Sequence, residues 1–341
     1  MIWWTKSWNP VIGCTKCSPA CDNCYAEALH TQRHKAKLAG AAMPLCYAEP
    51  FDQVRFLPER TWDPMRWRKP QRVFVSNMGD LFHQDVQDAW LDEIFEIMER
   101  CPQHIFMLLT KRPERMAEYL KEWHPLSRVW IGATIWDQAS ADRAVPILLS
   151  TPAAKRFVSV EPMLGPVDLG PALDSSWRRC RTCGAEALAI MDSPECGCAH
   201  PNYAEPGEPV ADWVSLPALD WVICGGETGP RARPMHPDWP CKLRDDCEAA
   251  GVPFFFKQWG EWAYKDVDFS APYVPHLSCI DPQGRECALS RPKGDPWWIL
   301  AGNDPWKHMD TRPDGVVSML RVGHRCAGRV LDGRTWEELP A

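Results

Sequence analysis

Four cysteines lie between residues 14 and 24 of this 341-residue chain, within GCTKCSPACDNCYAEA (13 to 28). Cys17, Cys21 and Cys24 form C-x3-C-x2-C, and Cys14 stands just ahead of them. Thiolates select zinc or iron-sulfur clusters, and a loop this short aims several sulfurs at one centre with little closure entropy. Three cysteines on a four-iron cluster leave one iron open to a substrate or cofactor, whereas all four could close around a structural zinc. Spacing alone leaves both chemistries open. A second group, CRTCGAEALAIMDSPECGCAH (180 to 200), carries C-x2-C, then C-x-C, then His200. Cys180, Cys183, Cys196 and Cys198 suit a tetrahedral structural zinc, with His200 as a substitute for one of the second pair. A second iron-sulfur cluster and unligated thiols are the alternatives. An insertion so poor in apolar residues needs a staple of this kind to be ordered.

The chain has 16 cysteines, but their tight grouping in an enzyme-sized chain without a signal-peptide pattern favours metal ligation over disulfides and predicts a cytoplasmic protein. No apolar run is long enough to span a membrane. With 45% hydrophobic and 24% charged residues the composition is that of a globular protein with a real core. The net charge of −7 argues against strong non-specific DNA binding, which needs many cations facing phosphate. One basic stretch, RFLPERTWDPMRWRKPQR (55 to 72), interleaves cations with Trp62 and Trp67, a composition that suits phosphate contact and base stacking, or equally a solvated surface over packed tryptophans. Other cysteines and single histidines such as His83 and His104 read as buried structural groups.

These residues must be positioned by something, and past residue 70 the chain alternates apolar β-type runs with helical periods. Strands are expected at 72–77, 104–110, 128–134, 156–161, 220–226 and 252–258, each nearly continuously apolar, as a strand buried on both faces should be. A first strand before the cysteines is only faint. Between them, DAWLDEIFEIMERC (88 to 101) is amphipathic with Asp88 as N-cap, Pro113 opens a second helix, and a third runs from a capping Asp238 to a terminating Gly251. A helix from Tyr25 to about Gly40 places the cysteines in a loop that feeds it. Parallel strands covered by helices leave an open doubly wound sheet or a complete or partial barrel, and both put chemistry at strand C-terminal ends. Asn77, Asp80, Lys111, Glu161, Gly225, Gly226 and Glu227 stand at those ends. The expected organisation is a barrel from 1–161 and 220–259, a cysteine-rich insertion at 162–219, and an irregular C-terminal cap at 260–341.

The sequence resembles the radical SAM superfamily, whose signature is three cysteines of this spacing followed by an aromatic residue, here Tyr25. WNPVIGCTKCSPACDNCYAE, SNMGDLFH, LLTKRPERM, RFVSVEPMLGPVDL, DWVICGGETGPRARPMHPDW, GVPFFFKQWG and GRVLDGRTWEELP together resemble a phage-associated three-cysteine family within that superfamily, distantly similar to spore photoproduct lyase. The closer family's C-x6-C-x2-C maps onto Cys14, Cys21 and Cys24, and the superfamily spacing onto Cys17, Cys21 and Cys24. Cys21 and Cys24 are common to both, and the closer resemblance prefers Cys14 to Cys17.

The resemblance implies a partial (β/α) TIM-type barrel with one 4Fe-4S cluster and S-adenosylmethionine, cleaved reductively to a 5′-deoxyadenosyl radical. It also implies a nucleic-acid base, in DNA, or a nucleoside as the substrate class, a flavodoxin- or ferredoxin-type reductant, and a phage-infected or prophage-bearing bacterial host. Asp80, Glu161 and Glu227 are then candidates for the sulfonium and amino group, and Asn77 or Lys111 for the carboxylate. The GGE triplet at 225 to 227 resembles the one that holds the methionine amino group in many such enzymes. Its position after a late strand assigns it instead to the ribose or substrate, or to a tight turn in which Gly supplies positive φ. The competing expectation is a non-enzymatic zinc protein that docks nucleic acid or a partner protein.

Overall fold

Strands 1 to 7 of the central sheet are β1 (Lys6–Trp8), β2 (Arg72–Val75), β3 (Ile105–Thr110), β4 (Val129–Ile135), β5 (Lys155–Val160), β6 (Trp221–Gly225) and β7 (Phe254–Gln258). The computed structural model describes residues 3–174, 177–180, 186–188, 213–215, 217–263, 276–283, 286–287 and 317–340. All seven strands are parallel, each beside the next in chain order, and the sheet curls into a half-barrel. A doubly wound sheet reverses its strand order at a switch point, and this one never does. The expected partial (β/α) barrel is therefore the architecture of the sheet.

The connections carry α1 (Tyr25–Leu38), α2 (Asp88–Arg100), α3 (Pro113–Leu120), α4 (Gln138–Ser150) and α5 (Asp238–Ala250). Buried residues of α2 to α5, among them Leu91, Ile94, Met116, Ala144 and Leu243, pack with one set of strand residues, Val73, Val75, Phe106, Leu108, Val158, Val160, Val222 and Phe254. The alternate strand residues, Phe74, Met107, Trp130, Phe157, Trp221, Ile223 and Phe255, pack with Trp3 in a separate cluster containing no helix residue. Period-two alternation thus sends one face of every strand to the helices and the other into the half-barrel, which explains the continuously apolar runs.

Gly132 shows how tightly the interior is filled: a Cβ there would lie 2.5 Å from the Phe157 ring. Pro113 opens α3 and Gly251, at φ +67, ends α5 as expected. Neither Asp88 nor Asp238 is an N-cap. Gln87 and Pro237 occupy those positions, and each Asp is the first helical residue, where its charge still favours the positive helix end. Helix α4 is one the periodicity does not mark, because Pro146 interrupts it; a capping box between Asp137 and Ser140 starts it instead.

Of the insertion, Gly170–Leu173 is a helical turn, and Trp177–Cys180, Glu186–Leu188 and Trp213–Ser215 form a three-stranded antiparallel sheet. The zinc set falls outside the described residues: Cys183, Cys196, Cys198 and His200 entirely, and Cys180 beyond its backbone. The expectation of an irregular 260–341 needs correction. Trp262–Ala263, Val317–Arg321, His276–Ile280 and Glu286–Cys287 make a four-stranded antiparallel sheet. The last described residues return to β7, where Phe256 N donates to Trp336 O (2.9 Å). Those strands are too short for a window of alternation to reveal. Among the described residues no helix is long and apolar enough to cross a membrane.

Candidate active site

The cysteine loop is built directly on the C-terminal ends of β1 and β2. Past β1 the chain bridges β2's extension at Gly13 and Gly79. Gly13 sits at φ +88, and a Cβ on it would lie 2.4 Å from Gln53 O, so only glycine enters the loop this way. Cys14 follows at once, and Cys24 is the N-cap of α1. Tyr25 donates through its hydroxyl to Asn77 O (2.7 Å), tying the start of α1 to the end of β2.

Two arginines clasp the loop. Arg112, at the N-cap of α3, donates to Thr15 O (2.8 Å) and approaches Cys14 Sγ (3.5 Å) and Asp80 Oδ2 (3.2 Å). Arg233 donates to Pro19 O (2.8 Å) and grips both carboxylate oxygens of Glu227. His83, fully buried, bonds Thr15 Oγ1 through Nε2 (2.7 Å) while its Nδ1 accepts from Asp85 N. That arrangement needs a neutral ring, and burial, with Arg112 adding to it, lowers the His83 pKa below the usual histidine value.

Above the aromatic interior lies a cavity of ≈ 440 Å³, within the roughly 300–1,000 Å³ of small-molecule sites. Cys14, Cys21 and Cys24 line it together with Asn77, Asp80, Lys111, Glu161, Gly226 and Glu227. Cys17 does not, and its side chain is exposed. Gly225 lies just behind the wall, its Cβ position 3.3 Å from Glu161. A second, more open groove of ≈ 980 Å³ runs along α1, shares Asn23, Cys24, Tyr25 and Thr228 with the cavity, and carries Lys16, Lys35 and Arg231.

Several of the gathered residues are occupied by the protein itself. Asp80 accepts from Thr110 Oγ1 (2.7 Å), Phe82 N (3.0 Å), Lys111 N (3.2 Å) and Arg112, so its carboxylate builds the wall rather than awaiting an ammonium group. Glu227 is taken by Arg233. Neither glycine of the GGE triplet has positive φ; a Cβ on Gly226 would lie 2.1 Å from Trp259 O, so close backbone approach explains it. Glu161 pairs with Lys257 (2.6 Å), whose ammonium lies 5.8 Å from the Trp4 ring centroid. Lys111 has no ion-pair partner among the described residues.

Ser76 and Arg112 belong to the polar strand-end set that the sequence marks, without individual roles, whereas Trp3, Trp4 and Arg233 carry no such mark. Ser76 lines the cavity in the left-handed region (φ 53), and neither its buried Oγ nor Trp3 Nε1 has a hydrogen-bond partner among the described residues. Buried polar atoms without partners, beside a strained backbone, fit a site that receives a polar ligand. Nothing in the sequence links Arg112 or Arg233 to the loop. The basic stretch at 55–72 is largely structural: Arg55 and Arg60 bond Cys46, and Trp67 packs on the core, while Trp62 is exposed under Arg100.

The donor set is sulfur-rich, and the loop thiols are free of disulfides. The Cys17 thiol donates to Cys21, which lowers the Cys21 pKa and raises that of Cys17. Burial, then Asp80, pushes the Cys14 thiol up to about 11, with Arg112 opposing. Among the described residues no three Cys, His, Asp or Glu side chains converge on one ion-sized point. Cysteines of an iron-sulfur cluster each bind a different iron and stand further apart than the ligands of a single ion. The thiols around a cavity with orphaned polar atoms fit a three-thiolate cluster with a small polar ligand.

The chain belongs to the family described as protein of unknown function (DUF5131), which matches residues 1–340. No curated protein and no solved structure matches it.

Proposed function

We propose that this member of the DUF5131 family is a cytoplasmic radical SAM enzyme that modifies or repairs a nucleic-acid base or nucleoside in a phage-infected or prophage-bearing bacterium. One observation carries the reading: Cys14, Cys21 and Cys24, and not Cys17, line a cavity with polar strand-end groups in its wall, at the C-terminal end of a parallel half-barrel. When bound there, a 4Fe-4S cluster with S-adenosylmethionine supplies one-electron cleavage of the sulfonium and a 5′-deoxyadenosyl radical. Cys14, Cys21 and Cys24 would hold the cluster.

The chain's own residues bind, orient and shield. Lys111, unpaired at the cavity, is placed to take a carboxylate, and Ser76 Oγ and Trp3 Nε1 are free to bond a polar ligand. Glu161 and Lys257 offer one acceptor and one donor side by side on the opposite strands. Trp3, Trp4 and Phe74, the rings of the interior that line the cavity, would offer their faces to a planar base. The open groove along α1 joins the mouth and would take a nucleic-acid strand through Lys35 and Arg231, its other charges being Asp22, Glu261 and the Lys16–Glu27 pair, and a flavodoxin- or ferredoxin-type reductant would reach the loop from the exposed Cys17 side.

Anaerobically purified protein is expected to be brown and to form 5′-deoxyadenosine from S-adenosylmethionine and dithionite. C14A, C21A and C24A should each lose iron and product, and C17A should keep both. Colourless protein holding only zinc after anaerobic reconstitution overturns the reading in favour of a zinc-binding docking protein. Colour without cleavage would make it an electron carrier.

A further inference from the structure

Arg112 hydrogen-bonds a single sulfur of the loop. Its Nη1 lies 3.5 Å from Cys14 Sγ, and its side chain is only 14% exposed. Three further contacts immobilise the guanidinium: Asp80 Oδ2 at 3.2 Å, Thr15 O at 2.8 Å and Thr15 Oγ1 at 3.3 Å. Asp80 is itself held by Thr110 and by the backbone N–H groups of Phe82 and Lys111, so the pair cannot swing away without breaking strand-end contacts. Among the described residues, none of the other three loop thiols accepts a hydrogen bond from a cation.

Hydrogen bonds to cluster sulfurs and solvent exposure set the potential of an iron-sulfur centre, and ligand partners beyond the first sphere orient the ligands. A charged donor bonds an anionic sulfur about twice as strongly as a neutral one, and most strongly when the sulfur gains electron density. We infer that Arg112 is a positioning residue that holds Cys14 and raises the reduction potential of the cluster it ligates, while Asp80 anchors Arg112 and offsets part of its charge. This rests on the cluster reading above. It assigns Cys14 a distinct place among the ligands, the one whose sulfur a guanidinium hydrogen-bonds.

The test is a redox titration, followed by electron paramagnetic resonance, of the full-length protein reconstituted anaerobically, without S-adenosylmethionine and with dithionite as electron donor. Arg112→Gln should retain wild-type iron and sulfide yet shift the one-electron reduction equilibrium at least tenfold toward the oxidised cluster, a midpoint lower by about 59 mV. Arg112→Lys, which keeps the charge without the fork, should fall between. Asp80→Asn should move the midpoint upward, a direction that mere loosening of the loop does not produce. Wild-type midpoints in the Arg112 variants, or Arg112 and Asp80 variants moving the same way, overturn the inference while the cluster stands. A wild-type protein that assembles no cluster overturns both. If Arg112→Gln assembles none, the opposed shifts of Arg112→Lys and Asp80→Asn decide.

Discussion

The floor and the mouth of the half-barrel are written in the same strands, two residues apart. Phe74 lies below Ser76, Leu109 below Lys111, Gly132 below Thr134, Phe157 and Ser159 below Glu161, and Phe255 below Lys257. Below, aromatic rings interlock: Trp221 stands edge-on to Trp3, Trp130 and Phe255, and Phe157 tilts against it. Above, the same face carries hydroxyls, an ion pair and an unpaired lysine. The floor has no titratable side chain in its buried set, and the mouth is ringed by them. Stability and chemistry are therefore separated by one step of the pleat, and substitutions in the two layers should fail differently.

The largest effect is expected at the floor. Trp221→Ala removes a fully buried ring from the centre of that cluster and should cost about 3–5 kcal/mol in urea unfolding, taking any cavity ligand binding with it. Gly132→Ala should cost about 1–3 kcal/mol, because the added methyl meets the Phe157 ring, itself 1% exposed and without room to move. A wild-type midpoint for either would mean the floor is loosely packed.

The mouth should respond less in stability and more in function. Arg233→Ala leaves Glu227 buried without its partner, at a cost of roughly 1–2 kcal/mol after allowing for the half-exposed guanidinium. It also frees Pro19, so iron retention should fall more steeply than the unfolding midpoint; equal losses would erase the contrast between layers.

Acid should also find the mouth first. His83 at the cysteine loop and His30 on α1 are both held neutral by burial, with pKa values lowered in the fold. The unfolded chain then binds more protons below about pH 6.5, so stability is full above that value and falls as pH drops through it, on the order of 1 kcal/mol per group per pH unit. His83→Gln should flatten that slope; an unchanged slope would place the titration elsewhere. The smallest effect belongs to Cys17→Ala, expected within about 0.5 kcal/mol of wild type because the side chain is exposed.

Much of this was legible beforehand because parallel strands buried on both faces and amphipathic helices announce themselves by composition and period. Six of the seven sheet strands lie within a residue or two of their expected positions, and the three-residue β1 was faint because so short a run carries no period. The strand-end residues were found as a set for the same reason. Their individual roles were not, since a carboxylate reads identically whether it awaits a ligand or is already bonded to an arginine, as Asp80 is to Arg112 and Glu227 to Arg233.

The sequence by itself determined the alternation of layers, the loop of thiols feeding α1 and the strand ends that surround the cavity, because these follow from local period, spacing and capping. Only the tertiary structure decided which cysteines face the cavity, that Arg112 and Arg233 clasp the loop, and that Glu161 meets Lys257 across 96 residues of chain. Those contacts arise from the curl of the sheet, which brings distant strand ends together at a distance no local pattern encodes.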